Sequence, residues 1–542
     1  MRVGFAQINT TVGDIKSNLD KIRRAYEKLV SSGADIVLTP ELALTGYPPQ
    51  DLVFRSGFVS ETLEAVRSLH QEVGSIPLLV GYVDFNPDNA GKPFVNACAV
   101  LERARPVEKT FKTLLPTYDV FDEARYFEPA TEQRPIRLCG RQVGITICED
   151  IWTDEYLKRD LYHQDPVAAL VAGGAEIVVN LSSSPFNVGK PAIRRQMVGE
   201  LAKRYRVPFF YCNLVGGNDE LIFDGNSFAV DADGRTARTL AAFQEEIAVV
   251  SVSDEPQVVP SPSPEEEIYH ALILGIRDYF GKCGFKSAVL GLSGGIDSAV
   301  TAVLAVDALG RENVVGVSMP SQFSSAGSLD DAESLARNLG ITRHVIPIKE
   351  PFEVFKGQFK EIFAGLNEDT TEENMQSRLR GLTLMSLSNK FGHLLLSTGN
   401  KSELAVGYCT IYGDMCGGLA VISDVPKTAI YRLARWINRE HEIIPDGSIT
   451  KPPSAELKLN QKDQDTLPAY EVLDEILKLY VEEHLSPEEI IGRGFDAGTV
   501  RWIQRRVDLN EYKRRQAAPG LKVTSRAFGM GWRMPIAQRY LR

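Results

Sequence analysis

Four prolines and four glutamates crowd into Glu255–Glu267 (EPQVVPSPSPEEE), a stretch through which no helix or central strand can run unbroken. Proline fixes φ and lacks a backbone N–H, so the segment reads as an extended connector. It divides a chain of 542 residues, too long for one ordinary domain, into two parts of domain size. The reading is a first domain over residues 1–250, a linker over 251–267 and a second domain over 268–542. Beyond the prolines Ile268, Leu272, Ile276 and Phe280 fall four apart, so a helix restarts there. Acidic residues precede it, where they complement the helix dipole.

Both parts alternate apolar strand-like runs with amphipathic stretches. In the first, Ala34–Thr39, Leu78–Tyr82, Val143–Cys148, Glu176–Asn180 and Val207–Asn213 read as buried strands. Leu19, Ile22, Tyr26 and Leu29–Val30 recur at helical spacing before the first of them. The segment GGAEIVVN echoes SGADIVLT, a hint of an internally symmetric, two-layered α/β unit. In the second part Ala288–Leu292, Val314–Ser318 and His344–Ile348 read as strands with helices between them. Successive βα units imply a parallel, doubly wound sheet of Rossmann-like type. From about Glu471 onward the chain reads as mainly helical.

Composition narrows the setting. An apolar fraction of 44% with 24% charged residues describes a soluble globular protein. Seven cysteines without CxxC spacing suit reduced thiols of the cytoplasm and offer no zinc site. The N-terminus, MRVGFAQINT, turns polar at once, unlike a secretory signal. No run approaches the roughly 20 apolar residues of a membrane span. A net charge of −11 argues against a general nucleic-acid binder. The one compact basic cluster, Lys513-Arg514-Arg515, could hold a single phosphate group.

The strand ending Gly291-Leu292 runs directly into Ser293-Gly294-Gly295-Ile296-Asp297-Ser298 and then into an apolar helix. Adjacent glycines let the backbone turn sharply and aim its N–H groups at an anion, and the helix N-terminus adds its positive end. Ser293 and Ser298 add hydroxyls. Asp297 repels anions and makes sense if Mg²⁺ bridges it to pyrophosphate. The spacing and lysine of a Walker A loop are missing. The loop resembles that of the ATP pyrophosphatases, which split ATP into AMP and pyrophosphate.

Downstream, Ser397-Thr398-Gly399-Asn400-Lys401-Ser402-Glu403 follows the apolar run HLLLS, and VPKT (Val425–Thr428) and PPSA (Pro452–Ala455) come later. Polar runs after a strand suit loops at the carboxyl end of a parallel sheet, where ligands bind. Together, and in this order, they resemble the NAD synthetases over the whole second half. The resemblance implies that Thr398 contacts ATP, Lys427 offsets charge as pyrophosphate leaves and Ser454 touches phosphate. It also implies that Glu403 holds Mg²⁺ or the deamido dinucleotide, and that Asn374 and Lys513 contact that dinucleotide. The chemistry explains the need for ATP. A nicotinate carboxylate is a poor electrophile for ammonia; transfer of AMP makes it a mixed anhydride with a good leaving group.

In the first half Cys148 ends the apolar strand VGITIC, where strand becomes loop, a place for an exposed nucleophile. A cysteine there is by itself more often a small core residue. Glu41 follows a proline that ends another strand, and Lys112 lies four residues before Pro116. Glu, Lys and Cys, each in its own extended motif, resemble the nitrilase-type carbon–nitrogen hydrolases over roughly residues 1–250, which implies an α-β-β-α sandwich. The resemblance gives Glu41 the thiol proton, Cys148 the attack on a glutamine amide and Lys112 the oxyanion; Lys109 is the rival lysine, with a poorer spacing. Glu123 matches a further supporting glutamate. Tyr118, Ser184 and Lys190 match positions that hold glutamine in the fused synthetases.

An amidase releasing ammonia and a ligase consuming it belong on one chain, because ammonia free in neutral water is mostly unreactive ammonium. The expectation is therefore a dry passage from Cys148 toward the nicotinate site, in a homo-oligomer. Two other readings stay open on the residues. The acceptor could be a different carboxylate or carbonyl, or the second half could be a nucleotide sensor that regulates an ordinary amidase.

Overall fold

The structure, a computed structural model, describes residues 1–152 and 161–540. It contains two compact units, Met1–Pro262 and Ser263–Arg542.

The first unit carries strands β1 (Arg2–Gln7), β2 (Ile36–Leu38), β3 (Leu78–Phe85), β4 (Phe94–Leu101), β5 (Glu108–Phe111), β6 (Ile136–Leu138) and β7 (Arg141–Ile147). These are followed by β8 (Ile177–Ser182), β9 (Phe209–Asn213), β10 (Val215–Asn218), β11 (Leu221–Asp224), β12 (Phe228–Val230), β13 (Thr236–Thr239) and β14 (Glu246–Ser251). Two six-stranded sheets result, ordered β14-β1-β2-β3-β4-β5 and β6-β7-β8-β9-β12-β13, while β10 and β11 form a separate hairpin. In both sheets the pairings run antiparallel, parallel, parallel, antiparallel, antiparallel. The echoed segments SGADIVLT and GGAEIVVN lead into β2 and β8, the third strand of each sheet in this order. The sequence echo marks a repeated topology.

Strand alternation builds the layers. Val3 and Phe5 of β1, Ile145 and Ile147 of β7, and Ile177, Val179 and Leu181 of β8 share one core between the sheets. The other face of the first sheet packs on helices Ile15–Ser31 and Phe58–Glu72 through Ile22, Leu29, Val66 and Leu69. The other face of the second sheet packs on helix Lys190–Tyr205 through Met197, Val198 and Leu201. The unit is a nitrilase-like α-β-β-α sandwich.

The second unit opens on helix Pro264–Cys283, whose N-cap Ser263 accepts a hydrogen bond from the Glu266 N–H. Pro264 sits at the first helical position, which needs no N–H, and Glu265–Glu267 fill the first turn. Part of the stretch read as linker is therefore helix, and β14 reaches Ser251 at its other end. Strands β15 (Ala288–Gly291), β16 (Val314–Ser318), β17 (Thr342–Val345), β18 (Leu394–Ser397) and β19 (Leu419–Ala420) form one parallel sheet ordered β17-β16-β15-β18-β19. The strand expected at His344–Ile348 ends at Val345, because Pro347 cannot donate to a ladder. The sheet is doubly wound, and its order reverses between β15 and β18. A crevice forms there at the carboxyl ends of the strands, the place where such sheets bind ligands. A helical cluster near the C-terminus packs Leu473, Ile476, Ile490, Ile503 and Val507 together. Beyond residue 515 the described chain to residue 540 is irregular rather than helical.

Candidate active sites

In the first unit, three strand ends deliver the three residues singled out. Glu41 follows β2 after Pro40, Lys112 follows β5 and Cys148 follows β7. All three are buried, and so is Glu123 at the start of the short helix Glu123–Tyr126. Lys112 Nζ donates to Glu41 Oε1 at 2.7 Å and to Glu123 Oε1 at 2.8 Å. Glu41 also accepts from Asn96 Nδ2 (2.7 Å) and from the Ser183 N–H (2.9 Å), and Glu123 accepts from the Tyr47 hydroxyl (2.9 Å). Two carboxylates thus share one ammonium out of contact with water. Burial, followed by the influence of Lys112 and Glu41, leaves the Glu123 carboxyl pushed up to about 7. Burial works against the Lys112 ammonium, but the charges of Glu123 and Glu41 outweigh it and hold Lys112 protonated. Burial and the nearby Glu41 push the Cys148 thiol up, so its proton leaves only with help.

Close backbone approach fixes Glu41. Gly81 of β3 lies under the loop, and a Cβ there would come within 2.5 Å of the Leu42 nitrogen and the Pro40 oxygen. Glycine within a strand marks such an approach. Cys148 has φ of +42°, a left-handed conformation that costs a non-glycine residue on the order of 1–3 kcal/mol and clusters at functional sites. Asp150 anchors the turn by accepting from the backbone N–H groups of Ile147, Thr113 and Leu114. It thereby ties the Cys148 loop to the segment that carries Lys112.

Tyr118 donates its hydroxyl to Glu149 Oε1 at 2.9 Å, and Tyr162 donates to the same atom at 2.8 Å. Glu149, the neighbour of Cys148 in sequence, is therefore a buried carboxylate beside it with two phenols on it. Ser184 is buried, with its N–H on Asn213 Oδ1 (3.0 Å). Lys190 donates to the Pro185 carbonyl (2.9 Å) and lies over the Trp152 ring.

In the second unit a cavity of about 300 Å³ occupies the crevice at β15 and β18. Gly291, Leu292, Ser293, Gly295, Ile296, Asp297 and Ser298 line it, together with Thr398, Glu403, Lys427 and Ser454. Gly294 does not face the cavity. Its φ is +79°, and a Cβ would collide with the Ser328 carbonyl, so only glycine lets the loop settle on the next helix. Within the loop the Gly295 N–H donates to Ser293 Oγ at 3.1 Å, and Ser448 Oγ donates to the Gly294 carbonyl at 2.9 Å.

The charges of this cleft converge on Lys427. Its ammonium pairs with Asp297 and lies 3.5 Å from Glu403 Oε1, while Asn400 Nδ2 donates to Asp297 Oδ1 at 3.1 Å. Burial, with Asp297 and Asp463 nearby against Lys427, pushes the Glu403 carboxyl up to about 8. Burial opposes the Lys427 charge, and Asp297 and Glu403 overcome it.

Asn374 and Lys513 stand outside the lining of the cavity. Asn374 Oδ1 accepts from Thr410 Oγ1 at 2.7 Å, and Lys513 Nζ donates to the carbonyls of Gly407 (2.7 Å) and Cys409 (2.8 Å). Residues not singled out from the sequence also enter the sites: Asn96, Tyr47 and Ser183 in the first, Asp463 in the second. For Asn96 a signal was there, a lone amide inside the apolar strand FVNACAVL. Tyr47 lies in a loop and gave none.

Comparison with known proteins places both halves. The chain matches the carbon–nitrogen hydrolase family over residues 2–256 and the NAD synthase family over residues 268–517. A glutamine-dependent NAD(+) synthetase of Synechocystis sp. is 49% identical over 550 residues, spanning 99% of each chain. One from Thermotoga maritima is 45% identical, over 100% of this chain and 99% of its own. The solved glutamine-dependent NAD+ synthetase of Acinetobacter baumannii, in complex with adenosine diphosphate, is 40% identical with a TM-score of 0.78. That match covers 99% of this chain and 98% of the other.

Proposed function

Since the chain belongs to the glutamine-dependent NAD(+) synthetases, we propose how its own residues divide that family's reaction between two centres. The reaction is the ATP-dependent amidation of deamido-NAD, nicotinic acid adenine dinucleotide, to NAD, with ammonia taken from L-glutamine.

In the first centre the Cys148 thiol gives its proton to Glu41 as Sγ attacks the side-chain amide carbon of glutamine. Lys112 faces the oxyanion that forms, and its charge is fixed before substrate arrives. Glu41 returns the proton to the departing nitrogen, the C–N bond breaks, and ammonia leaves a thioester. Water then gives a proton to Glu41 and attacks the thioester; glutamate leaves and Cys148 regains its proton. Glu123 keeps Lys112 in place and balances its charge. Tyr118, Ser184 and Lys190 hold the glutamine. The observation that carries this reading is the single buried ammonium on two carboxylates beside a strained cysteine.

In the second centre the loop Gly291–Ser298, with Thr398 and Ser454, holds ATP. A nicotinate carboxylate oxygen attacks the α-phosphorus, pyrophosphate leaves, ammonia attacks the acyl carbon and AMP departs with loss of one ammonia proton. Lys427 offsets charge on the phosphates. Asp297 and Glu403 bracket one ammonium and offer hard oxygen donors, so they fit Mg²⁺, which takes one or two carboxylates and completes its shell with phosphate and water. When bound, that ion would neutralise phosphate charge. Asn374 and Lys513 act on deamido-NAD, and their present bonds make that action one of shaping the loop around Gly407–Thr410.

The seven free cysteines support a cytoplasmic setting. Among the described residues no helix is long and apolar enough to cross a membrane. Exposed Val354, Phe355, Ile362, Leu366 and Leu382 support assembly of like chains, testable by light scattering against protein concentration. The central experiment measures NAD from nicotinic acid adenine dinucleotide and Mg-ATP, with glutamine or ammonium, for the natural chain and Cys148→Ala. The variant should lose glutamine-driven synthesis and keep ammonium-driven synthesis, with one AMP per NAD. Glutamine hydrolysis without NAD from either nitrogen source would overturn the assignment of the acceptor.

A further inference from the structure

The segment Pro519–Arg526 is irregular backbone near the C-terminus, yet its inner side chains are buried like those of a core strand. Leu521 and Val523 are fully buried, and Lys522 is 3% exposed. The Ala420 N–H donates to the Pro519 carbonyl at 2.8 Å, and Gly520 bridges Ala420 in parallel, so the segment extends the sheet past β19. Asp424, in the turn that follows β19, accepts from the N–H groups of Val523 (2.8 Å) and Thr524 (2.7 Å). The mechanism above uses none of these residues.

One side chain joins this segment to the crevice of the second centre. Lys401, only 2% exposed, begins the helix Lys401–Val406. Its Nζ donates to Thr524 Oγ1 at 2.6 Å, to Glu482 Oε1 at 2.8 Å and to the Arg526 carbonyl at 2.9 Å. Asp424 Oδ1 lies 3.2 Å away and adds a second carboxylate. An ammonium has three protons and accepts nothing, so the three bonds use all it can give. Thr524 Oγ1 accepts from Lys401, and its own single proton goes to Asp424 Oδ1 at 2.8 Å. The residues on either side of Lys401 reach into the cleft instead. Asn400 caps the helix by accepting from the Glu403 N–H at 2.9 Å, and its Nδ2 holds Asp297 Oδ1 at 3.1 Å. Ser402 Oγ accepts from the Lys427 N–H at 2.9 Å. Lys401 therefore sits between two residues that hold Asp297 and Lys427, the pair on which the charges of the cleft converge.

We propose that the segment Pro519–Arg526 is a clasp that acts through Lys401 to position Asn400 and Glu403 in the ATP crevice. Lys401 and Thr524 are positioning residues: Thr398 and Glu403 line the cavity, and these two do not. The helix Lys401–Val406 has six residues, too few to be stable by itself, so its placement comes from what grips it. A buried ammonium on carboxylates gains little stability over apolar packing, but its directed bonds admit a single register. The clasp supplies that register from a part of the chain 123 residues away. The inference rests on the reading of the crevice as the ATP site.

The test uses the full-length enzyme with Lys401→Met, which keeps a long side chain without its protons, and Thr524→Val, which keeps the shape without the hydroxyl. Binding of labelled ATP with Mg²⁺ is measured by equilibrium dialysis. The KM values for Mg-ATP and for ammonium are measured in ammonium-driven NAD synthesis. Both Kd and KM for ATP should rise, about tenfold in Lys401→Met and about threefold in Thr524→Val, the scale of a lost charge-assisted bond. The KM for ammonium should stay within about twofold, and Thr524→Ser, which returns the hydroxyl, should restore the natural values. A role in folding alone would lower the amount of active enzyme, and so the rate at every concentration, with Kd and KM for ATP unmoved; that outcome overturns the clasp. Should Lys401→Met not fold, the Val and Ser variants of Thr524 decide. If the natural chain binds no ATP, the reading of the crevice falls and the clasp with it; if it binds ATP and the variants bind it equally well, only the clasp falls.

Discussion

The two centres differ in what the protein has settled before a substrate arrives. In the first unit the Lys112 and Glu41 side chains are 0% exposed, locked by strand ends and backbone N–H groups. In the second unit Asp297 and Glu403 keep 18% exposure, and Lys427 occupies the space between them. One centre works on a small amide and can be closed and preset. The other must admit a nucleotide, a dinucleotide and ammonia in turn, so its walls are loops at a sheet crevice and its charges stay partly open to solvent. Preorganisation is paid for in buried charge in the first case and deferred to ligand in the second.

The sharpest way to break that comparison is to disable one centre and ask what the other notices. Asp297→Asn should lower NAD synthesis from glutamine and from ammonium alike by about 10²–10³-fold, the scale for losing a charge-stabilising group. Glutamine hydrolysis, measured as glutamate release, should continue within about threefold of the natural rate. If glutamate release collapses as well, the first centre is not preset, and the contrast fails.

Glu123→Gln probes the preset charge itself, with an expected loss of about 10–100-fold in glutamine-driven rate. The carboxyl, pushed up to about 7 by burial, takes a proton as pH falls through that value. The shared charge on Lys112 is then unbalanced, so activity should drop on the acid side of about pH 7. Glutamine-driven rates should show this limb, ammonium-driven rates should lack it, and the Gln variant should lose it. A limb that persists in Glu123→Gln assigns the titration to another group.

Gly81→Ala tests geometry without touching charge. The added methyl must push on the Leu42 nitrogen and the Pro40 oxygen, both backbone atoms that cannot swing aside. Moving Glu41 by a fraction of an ångström should cost about tenfold in glutamine-driven synthesis, with about 1–3 kcal/mol of stability from overpacking. Ammonium-driven synthesis measured below the melting transition should be unchanged.

These variants also mark how far the sequence alone could be read. Lys112, which follows the mixed run EKTF, was visible only through the motif that resembles the carbon–nitrogen hydrolases. Glu41 and Cys148 were visible because each follows an apolar run, and a charged or nucleophilic residue at a strand end is unusual in type. The loop at Ser293–Ser298 was visible for the same reason, and the parallel sheet followed from βα alternation. Gly81 was not visible as a support for Glu41, because a glycine in LLVGY says that something comes close but not what. The start of helix Pro264–Cys283 was hidden by its own signals: a proline and three glutamates suit both a linker and a first turn. Asn374 and Lys513 carried motif weight, yet their partners lie 36 and 106 residues away in the chain. Contacts at that separation are made by tertiary packing and leave no local pattern.

The smallest expected effect falls on Tyr118, proposed above to hold glutamine. Its hydroxyl donates to Glu149, but Tyr162 donates to the same oxygen, so Tyr118→Phe leaves that buried carboxylate with a partner. The ring stays in its edge-on contact with Phe121, 5.4 Å between centres, so the fold has little to lose. If Tyr118 holds glutamine in ground state and transition state alike, its removal should raise KM for glutamine about threefold with kcat unchanged. If its role is instead to fix Glu149 for the chemistry, kcat should fall and KM should stay. The first outcome keeps the catalytic groups of this centre self-contained and makes the outer wall adjustable; the second extends the preset region to the wall itself.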